Sequence, residues 1–210
     1  KAQKDYYVYD IPLRILHPFP KDINISLVVG GLEKLIPKEL MRNVEIIYVA
    51  NIKEFNNDNR AFNAMYKNGA IYISPDQDNE NDLLDDVIHE IAHSVENEYK
   101  DTIYGDGNLE REFLAKRKTL YYLLDQGALD MLYFKNINYN SKFDNYLYNN
   151  IGYDTLRLIS SSLFYSPYAI TSLREYWANG FENYLLGDRT RLKDLSPVQY
   201  NKIYTILEEK

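Results

Sequence analysis

A run of apolar residues at helical spacing near the middle of the chain constrains the fold more than any other feature of the sequence. The residues that share this spacing are Leu83, Leu84, Val87, Ile88, Ile91 and Val95. Because apolar side chains that recur every three or four residues form one face of an α-helix, the pattern predicts a helix from about Asn81 to Lys100. The acidic, asparagine-rich segment Asp76–Asp82 suits the loop before this helix, since carboxylates complement the positive end of a helix dipole.

Strands are predicted mainly before this helix, and helices mainly after it. The predicted strands are Tyr6–Leu16, Val44–Ala50 and Ala70–Ser74, and the further predicted helices are Asp22–Leu35, Leu109–Leu124, Leu173–Leu186 and Pro197–Glu208. Asn56–Arg60 is predicted as a loop, and Asn136–Asn150 as a loop or a loosely packed excursion. No internal repeat and no Gly/Ser-rich linker interrupts the chain, so we expect one α+β domain over residues 1–210.

Composition excludes several classes of protein. The chain has 31 acidic and 24 basic side chains and a net charge of −7, which argues against a nucleic-acid binder held by phosphate contacts. No apolar run approaches the roughly 18–20 residues that a membrane span needs. The absence of cysteine excludes disulfide scaffolds, thiolate metal sites and cysteine nucleophiles.

The middle of the predicted central helix carries the sequence His89-Glu90-Ile91-Ala92-His93, which is an H-E-x-x-H motif. Residues four apart lie above one another on a helix, so the two imidazoles can share one metal ion. Imidazole and carboxylate groups are usual ligands of Zn²⁺, and Glu90 would project beside the metal, where a water molecule would sit. The motif therefore predicts a zinc site with Glu90 as general base.

A catalytic zinc needs a third protein ligand, and the sequence offers two candidate carboxylates. The remaining histidine, His17, lies far upstream before two prolines and is interpreted as structural. Glu112 begins the predicted helix Leu109–Leu124 and follows His93 at the spacing of aminopeptidase-type zinc enzymes. Glu175 begins the later predicted helix Leu173–Leu186.

A resemblance to a known family favours Glu175. The sequence Glu175-Tyr176-Trp177-Ala178-x-x-Phe181 resembles the E-F-F-A-E-x-F helix of the anthrax-lethal-factor-like zinc peptidases, which include the Pro-Pro endopeptidases. This resemblance implies that Glu175 is the third zinc ligand and that Tyr168, seven residues earlier, points into the site. Segments 35–50 and 196–203 also look like the opening and closing elements of that family. The implied fold is a gluzincin-type zincin: a small twisted sheet, an active-site helix and a helical C-terminal half.

The sequence departs from the family pattern in two ways. The interval between the two metal motifs is longer than in compact members, so a helical insertion is expected over 101–160, between the metal-binding helix at 81–100 and the third-ligand helix within 161–210. The second glutamate of the family's E-F-F-A-E-x-F motif, which we call the second acid, is replaced by Asn179 in this sequence. The orientation of a ligating histidine is therefore expected either to be weaker or to be supplied by another carboxylate, Glu96 or Glu182.

The predicted activity is zinc-dependent endopeptidase chemistry. Zn²⁺ held by His89, His93 and Glu175 would activate water, Glu90 would move its proton to the leaving amine, and Tyr168 would stabilise the oxyanion. A polypeptide substrate could pair with the strand Ala70–Ser74. Two alternatives stay open: an aminopeptidase-like zinc hydrolase that uses Glu112, and a catalytically silent zincin-like module for binding or assembly. The resemblance slightly favours a secreted protein, and the compartment and oligomeric state stay open.

Overall fold

The computed structural model describes residues 5–57, 60–124 and 127–208 and confirms the predicted α+β class. The chain divides into two compact units, the first ending at Glu98 and the second beginning at Tyr99. The first unit contains the strands and two long helices, and the second is helical throughout its described elements. No helix in the described ranges combines the length and the apolar character that crossing a bilayer requires.

The first unit is built on a small mixed sheet. Its strands are β1 (Tyr6–Val8), β2 (Ile11–Ile15), β3 (Ile46–Val49), β6 (Ala64–Lys67) and β7 (Ala70–Ile73), and a separate two-stranded ladder joins β4 (Asn56–Asn57) to β5 (Arg60–Ala61). The strand order is β1-β2-β3-β7-β6. Strands β2, β3 and β7 run parallel, while β1 and β6 pair antiparallel at the two edges.

One face of this sheet forms the core of the first unit. Leu13, Ile47 and Ile71 stand in register on three adjacent strands, and all three are buried. Two helices belong to this unit, α1 (Ile25–Leu35) and α2 (Glu80–Glu98); α2 packs against α1, β6 and β7. Since side chains alternate between the faces of a strand, the neighbouring positions project to the other face, where Tyr48 and Tyr72 stack with ring centroids 5.5 Å apart.

The prediction of one strand over Tyr6–Leu16 is wrong, because the segment is a hairpin of β1 and β2. The chain reverses at Tyr9, whose φ is 54°. The Tyr9 amide donates to the Glu33 carboxylate at 2.7 Å, and its hydroxyl contacts the Glu33 and Ile36 carbonyl oxygens at 2.9 and 2.6 Å. These contacts from α1 stabilise a left-handed residue that a β-turn would ordinarily assign to Gly or Asn.

The described part of the second unit consists of helices joined by short turns. The helices are α3 (Lys100–Tyr104), α4 (Asn108–Leu123), α5 (Met131–Lys135), α6 (Ser141–Asn145), α7 (Tyr153–Ile159), α8 (Leu173–Leu186), α9 (Arg189–Leu195) and α10 (Pro197–Glu208). A π-helical segment, Tyr146–Ile151, follows α6, and a 3₁₀ turn, Pro167–Ile170, precedes α8. The prediction of a loop or a loosely packed excursion over Asn136–Asn150 is therefore partly wrong, because α6 and the π-helical segment occupy it from Ser141 onward. Asn140 begins α6 as its N-cap by accepting the Phe143 amide at 3.0 Å.

Candidate metal centre

The H-E-x-x-H motif lies in α2, as predicted. Glu90 and His93 are buried, with 6% and 7% of their surface exposed, and His89 is half-buried. The two imidazole rings lie one helical turn apart, with centroids 5.1 Å apart and an edge-to-face angle of 79°. The surrounding apolar residues of α2 are packed in the core of the first unit, so the helix presents both rings from a fixed backbone.

Glu175 lies in the first turn of α8. Ser172 is the N-cap of this helix, and its hydroxyl oxygen accepts the Glu175 amide at 3.2 Å. The sequence Ser172-x-x-Glu175 has the spacing of a capping box, a signal that the sequence analysis did not use. A carboxylate at this position is also favoured by the positive end of the helix dipole.

The described residues contain a group of side chains close enough to hold a metal ion: His89, His93 and Glu175. One ligand atom of each lies within 4.8 Å of the other two. Three ligands at about 2.0–2.2 Å from one tetrahedral ion would lie about 3.3–3.6 Å apart, so a small side-chain adjustment brings the group to bonding distance. Two imidazoles and one carboxylate form a donor set that fits Zn²⁺.

Glu96 supplies a carboxylate beside one of the histidines. Its Oε2 lies 3.4 Å from Nδ1 of His93, and both side chains are about nine-tenths buried. A carboxylate next to Nδ1 favours the tautomer with the proton on that nitrogen, which leaves Nε2 to bind a metal. Glu96 is thus one of the two carboxylates expected to take the place of the family's second acid. Asn179, which stands at that acid's position, is buried in α8 and accepts the Asn183 side-chain amide through its backbone carbonyl at 2.8 Å.

Glu112, the competing third ligand, has a different environment. Its carboxylate accepts the Tyr176 hydroxyl at 2.8 Å and the backbone amides of Val198 and Gln199 at 2.8 and 3.2 Å. Those two amides belong to the first turn of α10, where helix N–H groups have no partner within the helix. Among the described residues, the group that could hold a metal does not include Glu112. The carboxylate instead caps α10.

Tyr168 and His17 complete the set of residues singled out by the sequence. Tyr168 is half-buried in the 3₁₀ turn before α8, and its carbonyl oxygen accepts the Thr171 amide at 3.1 Å and hydroxyl at 2.8 Å. Its role at an oxyanion stays a prediction. His17 is exposed, and its Nδ1 accepts the Asn51 amide at 3.2 Å, in keeping with its structural interpretation.

The expectation that a substrate could pair with Ala70–Ser74 is wrong. Strand β7 already has a partner on each side, since it pairs with β3 along one edge and with β6 along the other. Its backbone groups are therefore used within the sheet. Within the described residues, β6 pairs with β7 alone and forms the edge of the sheet on that side.

Comparison with known proteins adds no relative. No protein-family model matches the chain, and no curated protein or solved structure is significantly similar to it. The resemblance to the anthrax-lethal-factor-like peptidases consequently depends on the motif residues of α2 and α8 themselves.

Proposed function

We propose that the protein is a zinc-dependent endopeptidase. The observation that carries the proposal is the convergence of His89, His93 and Glu175, whose ligand atoms lie within 4.8 Å of one another. A structural zinc site closes all four positions with protein ligands, whereas a set of three leaves one position for water or substrate. Three ligands with an adjacent buried glutamate are the composition expected of a hydrolytic site.

The donor set supports zinc as the resident ion. His89, His93 and Glu175 would hold it, with Glu96 orienting His93 through Nδ1. A zinc ion bound there supplies Lewis acidity, which lowers the pKa of water and polarises a carbonyl group.

The chain's own residues would carry the proton. Glu90 is buried beside His89, so its carboxylate works in an environment with little competing water. It would take a proton from the attacking water and deliver it to the leaving amine as the C–N bond breaks. The Tyr168 hydroxyl would donate a hydrogen bond to the oxyanion that develops on the scissile carbonyl.

The open edge of the sheet supports a polypeptide substrate. An extended peptide can add to an edge strand through main-chain hydrogen bonds, and β6 offers such an edge beside α2. Backbone pairing along β6 does not require a chain terminus, which favours internal cleavage over trimming of chain ends. The proposed binding strand is therefore β6 (Ala64–Lys67), in place of the strand inferred from the sequence.

The test measures metal content and peptide cleavage separately. Wild-type protein should retain about one zinc per chain after dialysis and should cleave members of a peptide library, and a chelator should abolish cleavage. Glu90→Gln should keep its zinc and lose at least about 100-fold in kcat/KM, because a general base contributes about 10²–10⁴-fold. Glu98→Gln, an exposed substitution on the same helix, is the matched control and should keep both properties.

Two results would contradict the proposal. If Glu175→Ala binds zinc as tightly as the wild type, Glu175 is not the third ligand. Zinc binding by the wild type without cleavage of any library peptide would favour a catalytically silent binding module.

A further inference from the structure

Arg117, in the middle of α4, is a buried cation whose hydrogen bonds all go to backbone carbonyl groups. None of its surface is exposed. Nε and Nη2 both donate to the Ile170 carbonyl oxygen, at 2.8 and 2.5 Å, and Nη1 donates to the carbonyl oxygens of Tyr133 and Asn136, at 3.1 and 2.6 Å. Phe113 and Phe143 present their ring faces to the guanidinium, with centroids 4.6 and 4.3 Å from Cζ.

This arrangement is costly for folding. Removing a charge from water is unfavourable, and burial lowers the pKa of Arg117 to about 9. Aromatic faces and carbonyl dipoles offset part of that penalty, but an apolar side chain would fill the same space without it. The benefit of an arginine at this position must therefore lie in the three carbonyl groups that it joins.

Those carbonyl groups flank the start of α8. Ile170 ends the 3₁₀ turn Pro167–Ile170 and lies two residues before Ser172, the N-cap of the helix. On the other side, the Leu173 amide donates to the Ile137 carbonyl oxygen at 2.8 Å, directly after Asn136. Arg117 thus closes a ring of hydrogen bonds that ties the turn and the first residue of α8 to the segment after α5.

We propose that Arg117 is a positioning residue that holds the turn Pro167–Ile170 and the first turn of α8, and thereby the placement of Tyr168 and Glu175. The inference rests on the proposed function, in which Glu175 is the third zinc ligand and Tyr168 donates a hydrogen bond to the oxyanion. Only a planar guanidinium makes four donor contacts to three carbonyl groups in fixed directions; the single ammonium of lysine cannot span them. Arg117 itself touches neither metal nor substrate.

The experiment compares Arg117→Lys with Leu120→Ala in the full chain. Leu120 is fully buried on the same helix, so Leu120→Ala should lower the overall stability as Arg117→Lys does, but it leaves the contacts of Arg117 with the carbonyl groups in place. Amide hydrogen exchange should accelerate at least about tenfold at Thr171 and Leu173 in Arg117→Lys, beyond any change at amides elsewhere in α8. Zinc affinity, measured by chelator competition, should fall about 10–100-fold, as is usual when support of a metal ligand is lost. In Arg117→Lys, kcat should fall with little change in KM, and Leu120→Ala should show none of these local effects.

A milder variant keeps the test decisive if Arg117→Lys does not fold. Phe143→Leu removes one aromatic face from the guanidinium but leaves every carbonyl contact available, and it should accelerate exchange at the same two amides to a smaller degree. Equal exchange and equal zinc affinity in Arg117→Lys and Leu120→Ala would overturn the inference. A wild type that binds no zinc would instead refute the proposed function, while hydrogen exchange would still report whether Arg117 holds the turn.

Discussion

Lys116 should make the stability of the second unit rise with pH. Its side chain is 8% exposed, and Nζ lies 2.5 Å from the Ser196 hydroxyl, 5.2 Å from the Tyr176 ring centroid and 5.7 Å from that of Phe164. Burial lowers the pKa of Lys116 from 10.5 to about 8, against the opposing influence of the nearby Glu112 carboxylate. Transfer of the amine from the unfolded to the folded state is therefore about 3 kcal/mol less favourable for its charged form than for its neutral form.

The sign and size of the effect follow from proton binding. The folded pKa lies below the unfolded one, so between about pH 8 and pH 10.5 the unfolded chain binds more protons than the folded chain. Stability then rises with pH, and the gain from Lys116 between pH 7 and 9.5 is about 2 kcal/mol. Below about pH 7 both states are protonated, and the full penalty of the buried charge applies.

Urea unfolding followed by the fluorescence of Trp177 measures this gain. Trp177 is the only tryptophan of the chain and is fully buried in α8, so its emission reports the second unit. The free energy of unfolding of the wild type minus that of Lys116→Met should increase by about 2 kcal/mol from pH 7 to 9.5. Titrations common to both proteins, such as that of Arg117, cancel in this difference. Lys118→Met, at an exposed lysine of the same helix, should follow the wild type at every pH. Parallel pH profiles of wild type and Lys116→Met would refute the reasoning.

Three further predictions concern α8 and its neighbours. Glu112→Gln should lower the free energy of unfolding by about 1–3 kcal/mol, because it weakens the charge-assisted bonds to the start of α10, while zinc content measured by atomic emission stays unchanged. Gly180→Ala should lower the free energy of unfolding, because a Cβ at this position would lie 2.1 Å from the buried Gln199 side chain, which donates to the Tyr176 carbonyl oxygen. In a Gln199→Ala background the same substitution should be neutral or stabilising by up to about 1 kcal/mol, which is the difference in helix propensity between Gly and Ala. Urea unfolding measures both effects. Tyr168→Phe should lower kcat about 10²-fold with unchanged zinc content, and an unchanged kcat would exclude the hydroxyl from oxyanion stabilisation.

Elements with strong periodicity could be predicted from the sequence, and so could the residues of the candidate metal group. Helix α2 has an apolar face over four turns, so its existence and the orientation of His89 and His93 follow from helix geometry alone. Glu175 was one of two candidates, and spacing could not separate it from Glu112. The distinction depends on tertiary contacts, because the Glu112 carboxylate receives amides from α10, a helix that lies far along the chain.

Other elements escaped prediction for reasons that differ from place to place. The two-residue turn Tyr9-Asp10 contains neither Gly nor Asn, and its left-handed Tyr9 depends on contacts with Glu33 and Ile36. Helix α6 has five residues, too few for a periodic signal. Strand β6 was missed although Asn68-Gly69, with φ of 51° and 81°, is the sequence signal of a tight hairpin that joins it to β7. Reading that dipeptide would have placed β7 inside the sheet and corrected the expected substrate strand.

The edge strand β6 also affects how the protein should behave in concentrated solution. An edge strand that can pair with a foreign peptide can also pair with the edge strand of an identical molecule. Natural proteins limit such self-association by keeping edge strands short and placing lysine on them. Strand β6 has four residues and ends at exposed Lys67, which is followed by the left-handed Asn68-Gly69 turn. A β-strand mimetic designed against the edge strand β6 should therefore suppress both peptide cleavage and concentration-dependent dimerisation. Replacing Lys67 by an uncharged β-branched residue should promote the dimerisation.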